Sequence, residues 1–145
     1  TFAVNQSTGR ILINDVGGKF EEINPGVPGA NYGWPVHNHG PIKKEGFVSP
    51  IHIYPEASIS GGDFAPSAAG DEISGRYVFA DFVHGWIHSI DPETGGEAAP
   101  FVSGLRRPVD LRFGDDGTLY VLLRNAWVVD DKFQTDSGSL VRISK

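Results

Sequence analysis

The stretch GRYVFADFVHGWIHSIDPETG, Gly75 to Gly95, sets two runs of strand-forming residues either side of a short polar turn. A close relative of it, GRILINDVGGKFEEINPG, runs from Gly9 to Gly26. A looser one, GTLYVLLRNAWVVDDKFQTDSGSLVRI, begins at Gly117. The turns STGR, ISGR and DDGT each place a glycine just before the second strand of a pair, where a tight hairpin needs positive φ. A chain that repeats one hairpin unit in this way is confined to stacked small sheets. A single antiparallel sheet of three or four strands cannot cover both of its own faces and must pack on its neighbours.

Alternation and β-branching mark further strands at Phe2–Val4, Arg10–Asn14, Phe20–Asn24, Ile59–Phe64, Arg76–Ala80, Trp86–Asp91, Pro100–Ser103, Val109–Phe113, Thr118–Leu123 and Ser139–Ile143. VDLRF and SLVRI alternate apolar with polar residues. YVFA and LYVLL are almost wholly apolar, which predicts cover on both faces. No long segment shows a clean helical period. The expected architecture is therefore all-β: a β-propeller of four-stranded antiparallel blades, with units at about 1–58, 59–103 and 104–145. The first unit carries a long insertion, roughly Pro25 to Ser58, rich in Gly, Pro, His and aromatics. A β-sandwich with chance similarity among its hairpins is the alternative.

Three blades leave two sheet faces bare, and a ring usually needs at least about four. The sequence contains no Met and opens on the strand-like TFAV, so it reads as part of a longer polypeptide. The remaining blades are the expected partner, supplied by the same polypeptide, a second copy or another subunit. The net charge of −6, with 12 Lys and Arg scattered along the chain, argues against nucleic acid. No apolar run reaches the length of a membrane-spanning helix. The absence of Cys excludes disulfides and thiolate metal sites.

The order DVGGKFEEINPGVPGANYGWP, SISGGDFAP, GRYVFADFVHGWIHSID, LRRPVDLRFGDDGTLYVL and GSLVRI resembles the C-terminal half of the soluble glucose/sorbosone dehydrogenase family. The resemblance spans nearly the whole chain. It implies about three blades of a six-bladed ring that oxidises a sugar or related alcohol with pyrroloquinoline quinone (PQQ) and calcium. It also implies a secreted or periplasmic setting and a small sugar or glycan as ligand. The family's base histidine and cofactor-proximal calcium ligands lie in the other half, so no catalytic residue is expected here and the fragment alone is not expected to be active.

PQQ carries three carboxylates, which the family meets with Lys and Arg. The family's aromatic-Pro-hydroxyl stretch reads Tyr54-Pro55-Glu56 here, its Lys-Arg-Gly turn reads Val83-His84-Gly85, and its Arg-x-Arg-Asp reads Arg107-Pro108-Val109-Asp110. The resemblance thus implies Arg107, Tyr54 and His84 as the cofactor-binding residues. Tyr54 would be an aromatic wall and His84 a proton carrier. Val83 and Val109 stand where two basic contacts would be, which opens the alternative of a non-catalytic propeller that binds glycans or partner proteins.

Other residues carry weaker readings. His37 and His39 of HNH would share a face of a strand, as two ligands of a zinc or copper ion with His52 or Asp63 as a third. The bland reading is a pair of solvated loop histidines. His88 alternates with Trp86 and Ile90 and is expected to pack. Asp15 and Asp81 end matching strands and are expected to cap the turns that follow. NYGWP either stacks on a sugar or covers the end of the core. Arg112 is expected at the surface.

Overall fold

The computed structural model describes residues 1–37, 40, 42, 44–55, 57–126, 128–129, 132–133 and 137–144. Three antiparallel meanders follow one another along the chain. The first sheet orders β1 (Phe2–Val4), β2 (Ile11–Asp15), β3 (Phe20–Pro25) and β4 (His52–Pro55). The second orders β5 (Ile59–Phe64), β6 (Tyr77–Asp81), β7 (Trp86–Asp91) and β8 (Gly95–Val102). The third contains β9 (Pro108–Phe113), β10 (Leu119–Leu123) and β13 (Ser139–Ile143). A small hairpin of β11 (Val128–Val129) and β12 (Lys132–Phe133) lies between β10 and β13 in the chain. The third sheet therefore has three strands, not four, among the described residues.

The glycines of the three turns behave as their positions predict: Gly9, Gly75 and Gly117 have φ of 74°, 76° and 81°. Two of the expected boundaries differ. β4 lies inside the stretch read as insertion, so the excursion out of the first sheet runs only from β3 to β4. β8 begins at Gly95 and is twice the expected length, because pairing with β7 overrides the poor strand propensity of Gly-Gly-Glu-Ala-Ala.

The sheets stack in blade fashion. β5 packs on both β1 and β9, while β4 touches β8. The first strands of the sheets thus gather on one side, and the fourth strands lie on the other. Close approach on the inner side requires the SISGG sequence. A Cβ on Gly61 would lie 2.5 Å from Asp110 Cα, and one on Gly62 would collide with the Tyr77 hydroxyl oxygen. Polar ties lock the same seam. Asn14 donates from Nδ2 to Ser60 O at 2.8 Å and accepts from the Tyr77 hydroxyl at 2.8 Å, and the Ser60 hydroxyl donates to Pro108 O at 2.8 Å.

Two apolar clusters fill the spaces between sheets. Leu12, Ile23, Tyr77, Phe79 and Ile90 lie between the first and second. Val78, Ala80, Ile87, Leu111, Leu119 and Val121 lie between the second and third. All five residues of β6 are buried, the apolar run Tyr77 to Ala80 as a central strand covered on both faces demands. LYVLL behaves otherwise: Leu119, Val121 and Leu123 are buried, whereas Tyr120 is 39% and Leu122 46% exposed. With Leu140, 66% exposed, they form a bare apolar row on the third sheet. No helix of the described residues is long and apolar enough to cross a membrane.

Candidate cofactor and sugar site

The turn between β6 and β7 organises one end of the molecule. β6 ends on Asp81, a fully buried carboxylate. Its Oδ1 accepts from the Val83 and His84 amides at 2.9 and 2.7 Å. Its Oδ2 accepts from the Tyr54 hydroxyl at 3.0 Å and from the Ser58 amide at 2.8 Å. Four donors satisfy a charge that burial would otherwise penalise. Asp81 is thus the turn cap that its position predicted, and it also ties the first sheet to the second. Asp15, its counterpart at the end of β2, is exposed.

The turn closes on Gly85, whose φ is 70° and whose Cβ would collide with Leu105 O. Leu105 donates its amide to Gly85 O at 2.8 Å. Only glycine fits both constraints. The segment entering β9 is thereby drawn against the turn, bringing Arg107 with it. Arg107 donates from Nη1 to Val83 O at 3.2 Å, and its guanidinium carbon stands 5.5 Å from the centre of the Phe82 ring. Its φ of 59° is unusual for a side-chain-bearing residue and carries a cost of about 1 kcal/mol or more.

All three residues singled out by the sequence are thus anchored on one turn. Tyr54 reaches it through Asp81, His84 belongs to it, and Arg107 bonds to its backbone. Tyr54 and His84 line one cleft, together with His52, Trp86, His88 and Ala98. Burial, followed by the negative charge of Asp81, pushes the Tyr54 phenol far above its ordinary pKa. Tyr54 is therefore a wall with a fixed hydroxyl and has no acid–base role near neutral pH. His84 is exposed. Val83 and Val109, at the positions where the family resemblance implies basic residues, are 49% and 37% exposed.

Alternation places Trp86 and His88 on one face of β7, whereas His52 lies on β4 and joins them only through the meeting of two sheets. His52 Nδ1 lies 2.9 Å from Gly96 O, a contact from β4 to β8. His88 stacks on Trp86 with centroids 3.9 Å apart and planes at 14°. Burial lowers the pKa of His52, against a raising effect of its bond to Gly96. Burial, and then repulsion from His52, lowers that of His88.

The remaining candidates fall elsewhere. His37 packs edge-on against Phe47 at 5.2 Å, and His39 and Glu56 lie outside the described residues. Asp63 accepts the Phe64 and Phe113 amides. No group of three or more potential metal ligands occurs among the described residues. In NYGWP, the Tyr32 hydroxyl donates to Pro25 O at 2.8 Å and holds the loop, while Trp34 is 76% exposed. Arg112 is half-exposed, but it also donates to Gly62 O at 3.0 Å.

Several solved structures share the fold of the stacked sheets. One is a putative oxidoreductase (glucose dehydrogenase) from Thermus thermophilus, with TM-score 0.76, 20% identity, and 97% of this chain matched to 43% of that one. Another is the PQQ-bound aldose sugar dehydrogenase of Streptomyces coelicolor, with TM-score 0.75, 22% identity, and 99% of this chain matched to 42% of that one. The apo soluble aldose sugar dehydrogenase of Escherichia coli gives TM-score 0.73 at 22% identity, with 97% and 43% covered. The chain therefore spans less than half the length of these neighbours, and its open stack of sheets is a partial propeller. The family model for Glucose / Sorbosone dehydrogenase matches residues 1–128. By that match over most of its length, the chain belongs to the glucose/sorbosone dehydrogenase family.

Proposed function

We propose that this chain is the C-terminal part of a propeller that oxidises a sugar or related alcohol, with PQQ and calcium held by the completed ring. The observation that carries the reading is the convergence of Tyr54, His84 and Arg107 on the 82–85 turn, in a chain of this family. Bound PQQ would supply the two-electron acceptor. The remaining blades would supply the base and the calcium ligands. In this chain, Arg107 offers a guanidinium to one cofactor carboxylate, and Tyr54 offers a rigid aromatic wall. His84 offers an exposed imidazole for moving protons.

The fit of these residues to PQQ is partial. One guanidinium faces a tricarboxylate, and Val83 and Val109 present apolar surface where charge would help. That observation supports a second reading, in which the propeller binds glycans or partner proteins without oxidising them. The family likeness, rather than either reading, supports a secreted or periplasmic location.

Dye-linked oxidation of an aldose panel by the full-length polypeptide, reconstituted with PQQ and calcium, separates the two. Turnover that requires both additions supports the dehydrogenase. No turnover with any aldose, in a protein that remains folded, supports the binding propeller.

A further inference from the structure

Six asparagines occur in the sequence, and one of them, Asn5, stands two residues before a hydroxyl-bearing residue, in Asn5-Gln6-Ser7. The others are followed at that distance by Val16, Gly26, Gly33, Gly40 and Trp127. Asn-x-Ser or Asn-x-Thr, with x other than Pro, is the acceptor pattern of N-glycosylation. The pattern arises readily by chance, so the fold around it decides whether a bulky, hydrated oligosaccharide fits.

Asn5 opens the turn from β1 to β2. Its backbone amide donates to Arg10 O at 2.8 Å, and its carbonyl accepts from the Gly9 amide at 2.8 Å. Its side-chain Oδ1 accepts from the Ser7 and Thr8 amides at 3.0 and 3.1 Å. The oxygen is thereby drawn into the loop, and the planar carboxamide turns Nδ2 away from those amides. Among the described residues neither Nδ2 nor the Ser7 hydroxyl has a partner, and these are the two groups the modification needs. Gln6, Ser7, Thr8 and Gly9 are exposed. A cavity of about 460 Å³ borders the turn and is lined also by Ser67, Ser74, Gly75 and Asp115, so the turn faces polar surface rather than core.

The turn is remote from the candidate cofactor site. β5 begins with Ile59 paired to Asp81 and ends with Phe64 paired to Tyr77. The 82–85 turn thus lies at the start of β5, whereas Phe64, at its end, shares the cavity with Val4 and Asn5. An oligosaccharide on Asn5 leaves the candidate site open.

We propose that Asn5 is an N-glycosylation site, modified when the polypeptide passes through a secretory compartment that holds an oligosaccharyltransferase. The co-reactant is a lipid-diphosphate-linked oligosaccharide. Nδ2 of Asn5 forms a bond to C1 of its first sugar. The bond from C1 to the diphosphate oxygen breaks, the lipid diphosphate leaves with that electron pair, and one Nδ2 proton goes to base. Nothing is oxidised or reduced, and neither PQQ nor the oxidised substrate takes part.

The test is secretion of the full-length polypeptide from a eukaryotic cell, then peptide mapping by mass spectrometry before and after peptide N-glycosidase in heavy-oxygen water. We expect a glycopeptide containing Asn5, which the glycosidase converts to a labelled aspartyl peptide. Ser7→Ala keeps the backbone amide that Asn5 Oδ1 accepts and removes only the hydroxyl. It should be secreted as well as the wild type and lose the glycan, while Ser7→Thr should keep it. Mapping the intracellular pool as well reads the site even in a variant that the cell retains. Three results would overturn the proposal. One is an unmodified Asn5 in secreted, folded wild-type protein. A second is a glycan on Asn5 that survives Ser7→Ala. The third is a glycan found only in the retained pool, which would mean that the folded turn does not accommodate it.

Discussion

Asp81 shows how one side chain sets the geometry of a whole end of the molecule. Asp81→Asn keeps the shape but presents an amide donor where acceptors are needed. It should cost about 2–3 kcal/mol in urea unfolding, because buried donors lose their partner. A loss below about 0.5 kcal/mol would show that water replaces the carboxylate. Gly85→Ala should cost more than Gly9→Ala, although the two have similar φ, 70° and 74°. At Gly85 the added Cβ meets a backbone oxygen, while at Gly9 it meets open space. Strain alone accounts for about 1 kcal/mol, so equal losses in the two variants would refute the steric argument.

The imidazoles predict a pH dependence. Both His52 and His88 are held below the ordinary histidine value of 6.5. As pH falls through that value, the unfolded chain takes up protons that the folded chain resists, so stability falls. The fall ends at the folded pKa, where both states are protonated. His52→Asn, which keeps a donor for Gly96 O, combined with His88→Gln, should flatten the profile as pH falls below about 6.5. An unchanged slope would show that the decline belongs to carboxylates.

At the scale of elements, the strands were largely legible because period-2 alternation and turn glycines state the same thing twice. β2, β3, β5, β6, β7, β9, β10 and β13 lie where pattern alone places them, to within a residue or so. β4 was hidden because HIYP follows a stretch dense in Gly and Pro and pairs with β3 across that excursion. β8 was shortened because its glycines and alanines carry little strand propensity, and the ladder with β7 supplies what propensity lacks. The 82–85 turn was legible from its flanking strands, but its place in a candidate site was legible only through family motifs. Alternation put Trp86 and His88 on one face of β7, but the place of His52 beside them was not legible, because no local pattern links a fourth strand of one sheet to a third strand of the next.

At the scale of the whole molecule, the row of Tyr120, Leu122 and Leu140 leaves an apolar face of the partial propeller bare. A neighbouring blade in the full-length protein would cover it. Leu122→Asp should then destabilise the full-length protein by about 1–3 kcal/mol. An unchanged unfolding midpoint would mean that this face remains in water and that the ring does not continue past β13. The central claim is that a family propeller keeps enough of its cofactor contacts in this chain to bind a quinone. It rests most directly on Arg107. The measurement is calorimetric titration of PQQ with calcium into the full-length protein and into its Arg107→Gly variant, which accepts the observed φ of 59° without strain. The account predicts stoichiometric binding by the wild type and binding weaker by about ten- to a hundredfold in the variant, the worth of one charge-assisted contact. Equal affinity in both, or no binding by either, would contradict it.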